Sequence, residues 1–317
     1  MNTSLLVLFI ITSCAKVVSW TTTTASSGHD FCSRYEKRLG LGFSLEEGEP
    51  CSSKLRLLTE THLASIPFDN LRLHGAANAP VSMDASVIAD QLIDRRRGGV
   101  CFELNALFAK LLDQLGYGVT LVNGYMVQAN AQDVPHMAIL AEDNDGNTWF
   151  ADVGMGEPPL HPLKFMLDEV QKTPDGMQSR FIACKDVIEL QWYLPEKNEW
   201  ESRFCFDRPG VETGPQRNVC SEDFEPLLLE VLDVGSHFRR KPVACKLTRQ
   251  EKTTLAGNIL KRSQNRFTAD ATERTYNLQS IEEIRYVLRD EFGIPLDETL
   301  GLSVPGIAAT RGEYVCR

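Results

Sequence analysis

Midway along this chain the apolar period changes, and the change falls at a pair of glycines. From Leu104 through Leu107, Phe108, Leu111 and Leu112 to Leu115, apolar residues recur at steps of three and four, the spacing of one helix face. Gly116 stands where such a helix is capped. Past Gly118 the pattern becomes short runs, VTLVNGYMVQ, HMAILAEDN, TWFADVG, FIACKDVIELQWYL and SRFCF, broken by Gly, Asn, Asp and Pro, and these read as strands. An antiparallel sheet or barrel is therefore expected across about residues 117–225.

Further helices precede the switch. Leu55, Leu58 and Leu63 in CSSKLRLLTETHLASIPFDN follow a 3.6 period that Pro67 ends, and Val87, Ile88, Leu92 and Ile93 share a face across Asp84 to Arg95. In the last third KPVACKLTR, KTTLAGNILKRS and RTYNLQS read as strands and Ile281 to Phe292 as an amphipathic helix. At 317 residues the chain suits two or three domains of about 100–200 residues each. The expected divisions are an extension at 1–28, a helical part at 29–116, the sheet at 117–225 and a mixed part at 226–317.

The extension stands apart. SLLVLFII (Ser4 to Ile11) is too short to span a bilayer, and TTTTASS follows it at 21–27. A signal or transit peptide is one reading, although the usual basic flank is missing. For the catalytic part a cytoplasmic setting is expected, with no stable membrane anchor. The formal net charge is −10, from 33 Lys and Arg against 43 Asp and Glu, which argues against nucleic acid as a partner. The nine cysteines form no CxxC pair and no zinc-type spacing, so no metal is expected.

One cysteine differs from the rest. RGGVCFELN (97–105) places Cys101 at the mouth of the long helix. Orphan N–H groups and the positive dipole end there favour thiolate over thiol, and Gly98 and Gly99 keep side chains off the approach. A nucleophilic thiol needs a base. Of the six histidines, His136 opens an apolar strand directly after Pro135, so its ring projects from a rigid element. A third group must hold the imidazole; Asp152 sits in WFADVGMG, flanked by apolar residues, where an unpaired carboxylate is costly. If Asn144, Asp145 and Gly146 form a three-residue turn with Gly146 left-handed, paired numbers sum to 290, and Asp152 lies opposite Ala138 on the face that carries His136. A two-residue turn puts the two on opposite faces.

RGGVCFELN resembles the RGGxCxELN signature of the arylamine N-acetyltransferases. PHMAIL and FADVGMG match that family's histidine and aspartate segments, 35 and then 16 residues further on. SIPFDNL, GSHF with KPVACKLTR, and EEIRYVLRDEFGI extend the resemblance over about residues 31–296. It implies an α+β fold of N-terminal helical bundle, central antiparallel β-barrel and C-terminal α/β lid around a cysteine-protease-like core. It also implies Cys101 as the acetylated nucleophile, His136 as its base, Asp152 as the residue orienting His136, and acetyl-CoA as donor. The implied reaction is ping-pong acetyl transfer to an arylamine, arylhydroxylamine or arylhydrazine. Arg97 and Glu103 are read as structural, fixing the helix start. Met155 stands where the family commonly has Phe, which implies a differently shaped acceptor pocket. The segment before Ser236 matches loosely, so no CoA-contacting residue is assigned. A transglutaminase-like amidase or peptidase and a macrocyclic amide synthase share the Cys, His, Asp order; the RGG segment separates this chain from the first of these.

Overall fold

The computed structural model describes residues 25–42, 44–45, 48–76, 80–127, 133–208, 221–233 and 235–307. The apolar run Ser4 to Ile11 lies outside them. Among the described residues no helix is long and apolar enough to cross a membrane.

The helical part comprises α1 (Ala25–Leu39), α2 (Ser52–Ser65), α3 (Ala85–Ala89) with a π-turn at Asp90–Asp94, and α4 (Cys101–Gln114). Between α2 and α3 runs a two-residue strand, β1 (Phe68–Asp69). Asp84 caps α3 by accepting the N–H groups of Ser86 and Val87. Gly116, at φ +88°, ends α4 as its position predicts. Sequence spacing marks α4 as a stripe, yet every residue from Cys101 to Ala109 is buried. The reason is tertiary: α1 and α3 cover one side of α4, and the barrel strands cover the other.

Eight antiparallel strands form the larger sheet: β2 (Gly118–Met126), β3 (Val134–Glu142), β4 (Thr148–Ala151), β5 (Leu163–Lys164), β6 (Gln171–Lys172), β7 (Gln178–Cys184), β8 (Val187–Leu194) and β9 (Glu199–Asp207). Their order is β5-β4-β3-β2-β9-β8-β7-β6, a nearly closed, barrel-like sheet. Phe150, Phe181, Phe204 and Phe206 fill its interior with rings 5.3–6.1 Å apart. β3 is buried on both faces. Met137, Ile139 and Ala141 point to the helical core, while Ala138 and Leu140 point inward, which explains an unbroken apolar run where alternation marks a half-exposed strand.

After α5 (Glu225–Leu232) a second sheet forms from β10 (Val243–Leu247), β11 (Glu251–Ala256), β12 (Ile259–Gln264) and β13 (Thr272–Asn277), in the order β1-β10-β11-β12-β13. α6 (Ile281–Phe292) has the bounds its period predicts. Ser280 caps its first turn, Glu283 reaches back to the N–H of Gln279, and Gly293 at φ +73° closes it. Ile284, Leu288 and Phe292 pack on Ala244, Leu255 and Leu260. Strand alternation turns Val243, Cys245, Lys252 and Thr254 to the opposite face of β10 and β11, where they line a cavity. The helical segment thus lends this sheet its edge strand, and the sheet in turn walls the site.

Candidate active site

The nucleophile's position is built from the segment before it. Gly98, Gly99 and Val100 run extended along β1: Asp69 N–H donates to Gly99 O at 2.9 Å, Gly99 N–H to Pro67 O at 3.3 Å, and Gly98 N–H to Asp69 Oδ2 at 3.0 Å. A Cβ on Gly98 would stand 2.3 Å from Pro67 O and 2.5 Å from Asp69 Oδ2. A Cβ on Gly99 would stand 3.1 Å from Glu103 Oε2. The glycines therefore admit close packing against β1 and α4, and the approach of a bulky donor is not what calls for them. Val100 stays extended and Cys101 is the first helical residue.

Glu103 fixes that start. It accepts the N–H of Val100 at 3.1 Å and both oxygens take Arg72 Nη2, at 2.6 and 2.7 Å. Arg97 is buried too, but its ion pair is with Glu298 at 3.6 Å. Glu103 thus holds the helix start, whereas Arg97 pairs with Glu298 and not with Glu103, and both lie around the buried Asp69 carboxyl.

The hairpin has the register that joins His136 to Asp152. Gly146 has φ +75°, its N–H donates to Asp143 O at 3.0 Å, and Ile139 pairs with Ala151 and Leu140 with Phe150. Asp143 holds the turn, accepting from the N–H of Asp145, the N–H of Asn147 and Trp149 Nε1. His136 Nε2 lies 2.6 Å from Asp152 Oδ2, and the ring lines the same cavity as Cys101. Phe204 holds the ring edge-on at 5.1 Å. All three side chains are buried. Burial pushes the His136 imidazole down, but the Asp152 carboxylate and Cys101 outweigh it and raise it to about 10, which favours the protonated ring.

Asp152 is fully satisfied. Its Oδ1 accepts Asn105 Nδ2 at 3.0 Å and Gly154 N–H at 2.8 Å. Asn105 also donates to Met137 O at 2.6 Å and accepts Val153 N–H at 2.9 Å. Sequence reasoning missed this residue. The signal was available: Asn105 lies one helical turn after Cys101, on the same face of α4, and a polar amide inside an apolar helix needs a buried partner. Gly154 was also missed as a packing requirement, since a Cβ there would lie 2.6 Å from Cys101 Cα.

The other histidines do other work. His62 is a core residue bonded to Tyr35 Oη at 2.6 Å, its imidazole pushed down to about 3 by burial. His74 meets Phe238 O at 2.9 Å and His161 meets Glu60 at 3.2 Å. His237 packs against Phe238 at the cavity, the two rings tilted by 35°. The side chain of His29 lies outside the described residues. Among the described residues no group of three His, Cys, Asp or Glu side chains is disposed to hold a metal ion.

Cys101 and His136 open on a cavity of about 320 Å³ bounded by β1, the barrel strands and loops, and the β10–β11 face. Phe68, Met126, Val134, Met155 and Phe238 give it largely apolar walls, and Glu157 and Lys252 put charge at one side. A buried cysteine sulfur and an imidazole at one such cavity suit covalent transfer of an acyl group.

Comparison with known proteins agrees. The N-acetyltransferase family model matches residues 53–300. An arylamine N-acetyltransferase of Mycolicibacterium smegmatis is 34% identical over 280 residues, covering 85% of this chain and 94% of the relative. An arylamine N-acetyltransferase / N-hydroxyarylamine O-acetyltransferase of Salmonella typhimurium is 29% identical over 259 residues, covering 79% and 85%. The solved arylamine N-acetyltransferase of Salmonella typhimurium matches with a TM-score of 0.71 at 27% identity, over 86% of this chain and 92% of that one. The Mycobacterium marinum enzyme in complex with CoA matches with a TM-score of 0.68 at 25% identity, over 83% and 92%. With the family model matched over most of its length and the fold shared with solved relatives, the chain belongs to the arylamine N-acetyltransferase family and is an acyltransferase.

Proposed function

We propose that the protein moves an acetyl group from acetyl-CoA to an aromatic amine, hydroxylamine or hydrazine through a thioester on Cys101. The observation that carries this reading is the meeting of Cys101 and His136 at one largely apolar cavity, with His136 braced by Asp152. In the first half-reaction Cys101, as a thiolate that has left its proton on His136, attacks the thioester carbonyl of the donor. The imidazolium of His136 gives its proton to the departing CoA sulfur, leaving acetyl-Cys101 and a neutral ring. In the second, the amine nitrogen attacks acetyl-Cys101, and His136 takes the proton that nitrogen sheds as the Cys101 sulfur leaves. Asp152 keeps the ring in one orientation and favours its charged form. Acetyl-CoA as donor is supported by the relative that binds CoA, and a hydroxylamine acceptor by the Salmonella relative's second activity.

Intact-protein mass spectrometry tests the proposal. Incubation with acetyl-CoA should add one acetyl group that a peptide map places on Cys101, and an arylamine should discharge it as the acetylated amine. Cys101→Ala should neither load nor turn over. Turnover retained by that variant, or release of the acetyl group only to water, would refute the scheme.

A further inference from the structure

Two motifs of the sequence meet at a place that the chemistry above does not use. SIPFDNL supplies β1 and the start of the turn after it, and GSHF leads into KPVACKLTR and β10. Asn70, fully buried, joins them. Its backbone N–H donates to Val243 O at 3.2 Å and its Oδ1 accepts Val243 N–H at 2.6 Å, which carries the β1–β10 pairing one residue past Asp69. Its Nδ2 has two protons to give. One goes to Phe238 O at 2.7 Å and the other to Lys241 O at 3.1 Å. A carbonyl only accepts, so the amide has one workable orientation and both of its donors are spent. His74, at the end of the Leu71–His74 turn, sets Nε2 2.9 Å from the same Phe238 O, and by the same reasoning that nitrogen carries the ring proton. Two buried side chains thus converge on one carbonyl.

That carbonyl belongs to the least anchored side of the cavity. His237–Arg239 is a three-residue 3-10 turn with no buried residue, yet His237 and Phe238 line the space on which Cys101 opens. Strand ladders back other sides: Met126 and Val134 stand in the β2–β3 pairing, and Val243, Cys245, Lys252 and Thr254 in the β10–β11 pairing. The turn has no ladder. Its own bonds are local, from Phe238 N–H to Ser236 Oγ at 3.2 Å, Arg239 N–H to Ser236 O at 3.0 Å and Arg240 N–H to His237 O at 3.1 Å. Arg239 Nε reaches back only to Leu232 O and Asp233 O at the end of α5. Among the described residues, the hydrogen bonds that reach the turn from beyond residues 232–243 come from Asn70 and His74. The Phe238 ring stands 5.8 Å from the Phe68 ring, and Phe68 bridges to Gly99, two residues before the nucleophile.

We propose that Asn70, seconded by His74, is a positioning residue of the acetyl-transfer reaction: by holding Phe238 O it fixes the His237–Phe238 turn as a side of the cavity that grips substrate. The inference rests on the acetyl-transfer reading above. Without the tether the cavity keeps Cys101 and His136 and loses the side against which donor and amine are held in turn.

Two readouts test it. Hydrogen exchange followed by mass spectrometry on the whole protein reads the tether itself. Asn70→Ala should speed exchange across 236–241 about tenfold, with the α4 amides unchanged. Kinetics with acetyl-CoA and 4-methoxyaniline read the consequence. For each substrate kcat/KM should fall about tenfold, the order expected for losing one or two neutral hydrogen bonds. At saturation kcat should stay within about threefold, as for lost binding that ground and transition states share. Alkylation of Cys101 by iodoacetamide, a reagent too small to need that side, should keep the parent's rate and pH profile. His74→Ala should move both readouts the same way by less, and His74→Gln, which restores a donor, should return them towards the parent; these two variants decide the matter if Asn70→Ala does not fold. A fall in kcat at unchanged KM, or a shifted alkylation profile, would mean a purely structural role or an effect on the nucleophile, and would overturn the proposal. Faster exchange in the turn with both kcat/KM values unchanged would overturn it too, as would no change in either readout. If the unsubstituted protein acetylates no arylamine, the acetyl-transfer reading itself falls, and the exchange arm still decides whether Asn70 holds the turn.

Discussion

Asn105 should be nearly as important to this site as the three residues that the chemistry names. Replacement by Ala removes three buried hydrogen bonds: one from Nδ2 to the Asp152 carboxylate, one from Nδ2 to Met137 O, and one accepted from Val153 N–H. The bond to a charged group contributes about 1.5–3 kcal/mol and each neutral bond about 0.5–1.5, so Asn105→Ala should cost roughly 2.5–6 kcal/mol. At about 2 °C per kcal/mol for a chain of this size, the melting temperature should fall by about 5–12 °C. Asp152 keeps His136 Nε2 and Gly154 N–H, so acetyl transfer should fall less than in Asp152→Ala. Differential scanning calorimetry with single-turnover transfer from acetyl-Cys101 reads both quantities. Asn105→Asp sharpens the test by setting a second carboxylate against Asp152; one of the two must take up a proton, and its residual activity should fall as pH rises. A melting temperature within about 2 °C of the parent, with transfer unchanged, would show that these bonds do not hold the aspartate.

Glu103→Gln should lower stability by about 3–5 kcal/mol, because it leaves the buried Arg72 guanidinium without its carboxylate, while acetyl transfer per folded molecule stays within a few-fold. Lost activity at an unchanged melting temperature would move Glu103 into the chemistry. The folded-state imidazole of His136 is raised to about 10 against about 6.5 in an unfolded chain, so its contribution to stability is complete below about pH 6.5 and is lost as pH rises through about 10. The stability margin of the parent over Asp152→Asn should therefore shrink from pH 6.5 to 10.5 in urea unfolding; a constant margin would contradict a protonated His136.

Local signals carried a large share of this structure. The 3.6 period bounded α6 to the residue, because its caps and its apolar stripe lie within the same fifteen positions. Hairpin parity did more: one left-handed glycine at 146 sets which face each residue of β3 and β4 takes, and so joins His136 to Asp152 although 16 residues separate them. RGGVCFELN, with the His136 and Asp152 segments that follow it, carried the resemblance that implied acetyl transfer, since the Cys, His, Asp order alone is shared with amidases and peptidases.

Contacts between distant segments had no such trace. Arg72 reaches Glu103 across 31 residues, Asn105 reaches Asp152 across 47, and Arg95 reaches Glu298 across 203. No periodicity links such pairs, since only the packing of one element on another brings them together. The same holds for the purpose of Gly98, which answers to β1 on a neighbouring segment, and for the charged wall of the cavity. Lys252 reads in sequence as one more polar residue on a strand. That it faces the nucleophile's cavity was decided by the second sheet, which buries one face against α6 and must turn the other toward the site.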